Sequence, residues 1–536
     1  MRSFLYQIFF IISIAITLVS CANRGSPSGG DKDEEPPVIV DEVPENFSTN
    51  FKGDEIRIYF DEYVKINDIR KQLIISPPMD VDPVIIPMGS ASKYISIKIK
   101  DTLQKNTTYA FNFGESIVDN NEGNPYPYYR YVFSTGDTID SLSVRGYVED
   151  ALLEEPDTFI SVMLYEVDST YTDSIVYKEK PRYITNTLDS LTTFSIDNIK
   201  AGTYKLIALK DKNGNYKFDQ KDDKIAFHEE FISVPSAAEY KLTMFKEEAN
   251  FKAIKPKQEG RNKIMFPYEG DYESMRIEVL GGKPEGYQTR IVKDATKDTL
   301  YYWYKPDFEI DTTLFLVTNE KYVDTFKHRF RKLDADSLEI KTVTSGTLNF
   351  ENEFTVEANI PLTKIDTSKI KLINRDSTEI AFEVEYDSIL NRYRFPVQKE
   401  EGEKYFFEML PGTFTDFYEG TNKDTLNYTF RTKMKSEYGN IRVNLRNAKF
   451  PLIVQLVDKN GVVLYERYTT ESPVVDFTNL SPRQYGLRVI YDSNGNGKYD
   501  TGNYLLGIQP ERVSYSPPIE EVRASFDFII DFTLLD

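Results

Sequence analysis

Along most of the chain, apolar residues recur at every second position. Ile95, Ile97 and Ile99 alternate with Ser96, Lys98 and Lys100. Tyr109, Phe111 and Phe113 alternate with Ala110, Asn112 and Gly114, and Tyr485, Leu487, Val489 and Tyr491 repeat the pattern far downstream. A period of two puts one set of side chains on one face of a pleated strand, so each run predicts a half-buried strand. Helical periodicity is scarce; Ile66 to Leu73 predicts one turn or two. Short strands separated by Gly, Pro, Asn and Asp predict an all-β chain of tandem β-sandwiches. At about 150 residues per domain, the 536 residues make three to five domains.

The strands repeat as a set. Phe194-Ser195-Ile196-Asp197-Asn198-Ile199 leads through Gly202-Thr203-Tyr204 into Asp211-Lys212-Asn213-Gly214-Asn215. Asp476-Phe477-Thr478-Asn479-Leu480 leads through Tyr485 into Asp492-Ser493-Asn494-Gly495-Asn496. The offset is 281 residues from Asn198 and Asn479 through to Asp219 and Asp500, without a gap. A second pair precedes these. Thr108 to Phe111, Asp119 to Gly123 and Tyr131 to Thr135 correspond to Lys404 to Phe407, Asp416 to Gly420 and Tyr428 to Thr432. The chain therefore reads as a two-module unit used twice around a middle segment. That organisation excludes a single catalytic domain with decorations.

The N-terminus adds an address. Phe4 to Leu18 is an apolar run of 15 residues (18 − 4 + 1), broken only by Gln7, Ser13 and Thr17. It is short for a spanning helix, which needs about 20 residues, and fits the core of a secretory signal peptide over 1–20. Leu18-Val19-Ser20-Cys21 directly after it resembles a lipobox. The resemblance implies cleavage before Cys21 and a membrane anchor through lipid on its thiol. Cys21 is the only cysteine of the chain, so no disulfide forms within it, and acylation accounts for an odd thiol in an exported protein. The other reading is an ordinary signal peptide that contains a cysteine. Residues 21–36 are Ser-, Pro-, Gly- and acid-rich and predict a flexible acidic tether. Ala22 after the cysteine implies, by resemblance, an outer-membrane destination. Asp31-Lys32-Asp33-Glu34-Glu35 resembles the surface-export signal of Bacteroidetes lipoproteins, or simply keeps the tether solvated. The formal net charge of −20 and pI near 4.9 argue against a nucleic-acid partner.

Three stretches resemble bacterial Ig-like domains of the S-layer (SbsA-like) type. They are Val43-Pro44-Glu45-Asn46 with Thr49-Asn50, the strand Ile56 to Val64, and the turn Asp119 with Glu122-Gly123-Asn124-Pro125 before Tyr131 to Thr135. The match covers 37–136. A second copy at 339–436 lacks the Asn after Gly420. Phe194 to Leu206 carries the phrase F-x-I-x-N-I-x-A-G-T-Y-K-L, which resembles transthyretin-like or Cna-B-like sandwiches, also seen as carboxypeptidase regulatory-like domains. This gives modules at 141–247 and 437–536, the latter with Pro482 in place of Ala201. A middle sandwich fills 248–338. The arrangement resembles Ig-like-domain lipoproteins of Bacteroidetes, which implies a non-catalytic scaffold or adhesion arm. The alternative is a glycan-binding accessory lipoprotein of a polysaccharide-capture system. Protein and glycan partners both stay open, as do the periplasmic and surface-facing leaflets.

Candidate chemistry centres on the duplicated loop D-x-N-G-N-x-K-x-D. Asp211, Asn213, Asn215, Lys217 (through its carbonyl), Asp219 and Asp222 stand at positions 1, 3, 5, 7, 9 and 12 of a calcium-type loop. Asp492, Asn494, Asn496, Lys498 and Asp500 repeat the first five, with Asn503 at position 12. The sharp-turn glycine of position 6 is Tyr216 in one copy and Gly497 in the other. Two readings fit: a weak calcium site, or a metal-free hairpin turn decorated with Asp and Asn. Enzyme signals are poor. His228 and His328 stand 100 residues apart, without a partnered constellation, and read as strand-surface residues. Tyr301, Tyr302, Trp303 and Tyr304 form an aromatic run in which alternation sends half the rings into a core.

Overall fold

The computed structural model describes residues 33–187, 192–344 and 346–534; Cys21 and the signal segment lie outside them. Strands dominate, and the one α-helix among the described residues is the four-residue Ile69–Gln72, inside the stretch where helical periodicity was expected. The all-β, multi-sandwich architecture read from the alternation is the architecture of the protein. Two compact units emerge from the packing. Among the described residues, one holds 33–143, 182–187 and 197–200; the other holds 144–181, 192–196, 201–344 and 346–534.

In the first unit, Ile39–Val43, Glu55–Ile66, Ser92–Lys98 and Val84–Ile86 form an antiparallel sheet in that order. Ile74–Ser76, Thr108–Asn112 and Arg130–Ser134 form a second sheet. The alternating residues Ile95, Ile97, Tyr109, Phe111 and Phe113 fill one core with Ile56, Ile58 and Phe133. Phe133 is its hub, with the rings of Phe51, Tyr109 and Phe111 at 4.2, 5.4 and 6.1 Å. Such pairs add about 0.5–1.5 kcal/mol each beyond area burial. Beyond a register shift, the far end of Glu55–Ile66 pairs with Ile117–Asp119.

That pairing places Asp119 at a buried corner. Its carboxylate accepts the backbone N–H groups of Asn121, Glu122, Gly123 and Asn124 at 2.8, 2.7, 3.0 and 2.7 Å. Burial opposes the charge, but the four donors prevail and hold the carboxyl below its ordinary value of 3.8. Asp416 of the second copy receives two such bonds, from Tyr418 and Gly420, both 2.8 Å. There burial wins and the pKa rises. The copies share a turn and differ in its electrostatics: burial weighs more heavily on the second carboxylate, and fewer amides face it.

The second unit contains separate cores. One gathers Ile264, Phe266, Tyr302, Tyr304, Phe315 and Val317; one gathers Phe354, Phe395, Phe407 and Phe430; one gathers Val443, Leu456, Phe477 and Val489. Between Val144 and Met244, Ser161–Glu166 pairs with Gly202–Lys210, which also pairs with Lys224–Phe227 and Ile232–Val234. Glu239–Met244 runs parallel to the end of Leu142–Asp150. Here alternation fails. Val162 through Tyr165 and Leu206 through Leu209 are buried without interruption, as is every residue of Leu452–Val457. Strands covered on both faces need no polar side. For the first pair, part of the cover comes from the turn Asp173–Tyr177 and the loop beyond Lys210. Phe218 N–H donates to Val176 C=O at 2.8 Å, and Tyr165 O–H reaches Tyr216 C=O at 3.4 Å.

Asp119→Ala is expected to destabilise the first sandwich by about 1–2 kcal/mol at neutral pH, since it strands turn amides that the carboxylate now satisfies. Because the folded pKa is depressed, the wild-type advantage is present above pH 3.8 and is lost as pH falls through the folded value. Denaturant titrations of both proteins at pH 7 and in strong acid check this. A gap that stays constant with pH would reject the assignment.

Candidate functional site

Each duplicated loop leaves the end of a core strand, Gly202–Lys210 in the first copy and Gly486–Tyr491 in the second. The carboxylate of Asp211 accepts N–H from Asn213 (3.0 Å), Gly214 (2.7 Å) and Tyr216 (2.6 Å). That of Asp492 accepts N–H from Gly495 (2.8 Å), Asn496 (3.1 Å) and Gly497 (2.8 Å). Asn215 and Asn496 each accept the N–H two residues on, from Lys217 and Lys498, at 2.7 Å. Asn494 and Asn496 also donate to Asp500, at 2.6 and 2.8 Å. Asn213 is exposed. Tyr216 takes φ of 59° where Gly497 takes 73°; a non-glycine residue in that left-handed region costs about 1–2 kcal/mol.

The loops close on carboxylates that spacing did not single out. Asp223 accepts N–H from Lys212 (2.9 Å) and Asp219 (2.8 Å). Glu511 accepts N–H from Ser493 (2.6 Å) and Asp500 (3.1 Å). Asp222, placed at position 12 from sequence, is the immediate neighbour of this group, and its N–H donates to Asp219 C=O at 3.1 Å. Asn503 instead belongs to a hairpin, exchanging backbone bonds with Ile508. Asp223 is fully buried, and burial followed by the charges of Asp211 and Asp219 raises its pKa against its two N–H donors. Among the described residues, no three His, Cys, Asp or Glu side chains gather as a metal-holding group in this geometry.

Identical bonds make Asp223 and Glu511 equivalents, so the offset grows from 281 to 288 across this stretch. The seven extra residues lie between Asp500 and Glu511. They form the part of the last module that grips the module built on Gly202–Lys210. Tyr504 N–H donates to Glu247 at 2.6 Å, a side chain 3% exposed whose other oxygen takes Gln220 Nε2 at 2.8 Å. The Tyr504 ring stands edge-on to Phe227 at 5.3 Å. Thr501 O–H donates to Lys246 C=O (2.7 Å) and Gln509 Nε2 to Phe227 C=O (3.0 Å). A Cβ on Gly502 would lie 2.6 Å from the Phe245 ring, so only glycine permits this approach. Alongside, the buried Arg488 donates to Leu152 C=O and, at 2.7 Å, to Gln455 Oε1. Burial lowers its pKa. Tyr515 O–H donates to Ala151 C=O at 2.8 Å. Within this unit the last module therefore packs on a module far back in sequence.

The remaining candidates lie outside these loops. His228 lies 3.0 Å from Glu230 C=O through Nδ1. His328 departs from the surface position expected of it: it is buried between the rings of Phe315 and Phe330, at 6.0 and 5.2 Å, and burial lowers its pKa. Its strand, Tyr322–Arg329, pairs with Thr312–Asn319, which carries Phe315. In the aromatic run, Tyr302 and Tyr304 enter the middle core, while Trp303 is buried on the other side with Ile360 and Phe417.

The bacterial Ig-like domain family matches residues 33–135, overlapping the module read from sequence at 37–136. No curated protein matches the chain. Among solved structures, the surface layer protein SbsC, domains 1–6, is 12% identical with a TM-score of 0.14, over 90% of this chain and 67% of that one. The Bacillus anthracis TIE protein is 11% identical with a TM-score of 0.14, over 95% and 75%. The BSP domain of a biofilm associated protein is 8% identical with a TM-score of 0.15, over 88% and 97%. Superpositions this loose carry no inference about this chain.

Tyr504→Ala combined with Glu247→Ala is expected to loosen the grip while leaving both sandwich cores folded. Losing a buried aromatic side chain costs about 3–5 kcal/mol. Hydrogen exchange should accelerate at 501–510 and around Phe245 to Glu247, with the Val443–Val489 core unchanged. Unaltered exchange at both edges would show that the insertion does not hold the modules together.

Proposed function

We propose that the chain is a non-catalytic scaffold or binding protein held at the bacterial envelope by lipid on Cys21. The docking of the duplicated module carries this reading. Arg488, Glu247 and Tyr504, all buried, are spent on holding modules in a fixed relation. That arrangement suits a protein whose task is to present surfaces. The bacterial Ig-like match at 33–135 supports it. The lipobox-like Leu18 to Cys21 supplies the anchor in this reading, and the acidic tether gives the folded modules reach.

Cys21→Ser is expected to abolish incorporation of labelled palmitate and to move the protein from the membrane fraction to the soluble one. Retention of label, or of membrane association, would refute the anchor. Protease treatment of intact cells then separates the two leaflets, because only a surface-facing chain is cleaved.

Calcium at the duplicated loops belongs to the same proposal. What supports it is the repeated oxygen spacing, with the charges of Asp211 and Asp219 bearing on the buried Asp223 carboxylate. With so few carboxylates, binding belongs to the weak class of about 10⁻⁴–10⁻³ M. Millimolar Ca²⁺ should raise the melting temperature, and Asp211→Ala with Asp492→Ala should remove the rise. An indifferent wild type leaves both loops as turns.

A further inference from the structure

The inserted segment has an outer side as well as a gripping one. Asn503 and Ile508 exchange backbone hydrogen bonds at 2.8 and 2.9 Å, and Gly507 N–H closes on Tyr504 C=O at 3.0 Å. Leu505 and Leu506 thus occupy the two corners of a tight turn. Turn corners ordinarily go to polar residues, yet these leucines stand 52% and 71% exposed. The shorter copy has no counterpart to them. Across from the tip, Phe231 is 49% exposed. Between them lies a groove of about 570 Å³, lined also by Phe227 and Tyr504 and by the acidic residues Asp173, Glu229 and Glu230. Lys205, the one cation lining it, is turned inward. Its ammonium donates to Glu229 C=O at 2.9 Å and sits over the rings of Phe227 and Phe231, at 5.3 and 5.7 Å. The groove therefore offers apolar surface with a negative rim.

We propose that this tip and groove form a docking surface for a partner protein that presents a large aliphatic or aromatic side chain beside lysine or arginine. Grouped exposed apolar side chains mark interaction sites, and the rim selects among occupants by charge. An anionic bilayer would be repelled by three carboxylates. A second copy of this chain, at a net charge of −20, would be repelled as well. The proposal deepens the binding reading above and rests on it.

The test uses the lipidated full-length chain in nanodiscs and an array of short peptides that place Leu, Ile or Phe next to Lys or Arg. Matched peptides carry Glu in place of the basic residue. Fluorescence anisotropy should show binding of the basic-apolar set alone. Leu505→Ser with Leu506→Ser changes only exposed side chains, so its melting temperature should match the wild type while affinity falls about tenfold or more. Glu229→Gln with Glu230→Gln should weaken binding and flatten its dependence on salt. No binding by any peptide, equal binding of the Glu set, or an unaffected leucine variant would each overturn the proposal. Hydrogen-exchange protection of 503–508 by the bilayer alone would assign the tip to lipid. Self-association lost in the leucine variant would assign it to a second copy. Both outcomes refute a protein partner and leave the Cys21 anchor experiment standing.

Discussion

A chain that turns back every few residues leaves backbone N–H groups without strand partners, and acidic side chains supply the missing acceptors here. Asp119, Asp211 and Asp492 each take three or more amides from the turn that follows them. Asp223 and Glu511 then tie each loop's two ends together. An unsatisfied buried amide costs about as much as a lost hydrogen bond, so these acids are as much a part of the fold as the aromatic cores. The acidity of the chain is in this sense partly internal.

The same device extends from turns to modules. Glu247 receives an amide from Tyr504, more than 250 residues away in sequence, much as Asp211 receives one from its own loop. Around that bond the geometry tightens: Gly502 admits Phe245, Phe227 meets the Tyr504 ring, and Arg488 reaches Leu152. The surfaces brought together are the outer faces of strands whose inner faces already fill sandwich cores. This is why Leu452–Val457 is buried on both sides, and why Gln455 and Arg488 are buried as a bonded pair.

Much of this is written in the sequence at short range. Alternation at Ile95 to Ile99 and Tyr109 to Phe113 identifies the first core residue by residue. The constant offset of 281 residues identifies the duplicated loops and the leading carboxylate of each. The docking is harder to read. It shows locally only as runs without alternation, Val162 to Tyr165 and Leu452 to Val457, which signal cover on two faces without naming the cover. Glu511 escapes a spacing argument because the insertion shifts it by seven residues relative to Asp223. Asp223 escapes because Asp222 beside it is the same residue type, and only burial separates them. His328 reads as exposed until the rings of Phe315 and Phe330 close over it.

Duplication normally yields interchangeable parts, and the insertion after Asp500 removes that freedom. The two copies have become plug and socket. The earlier one keeps the compact loop and supplies Glu247, Phe245 and Phe227 as a receiving face; the later one carries the projection that fills it. Exchanging the copies, or ending the chain before the later one, would uncover a carboxylate and rings suited to an interior. The order of modules along this chain is therefore fixed by fit as well as by descent.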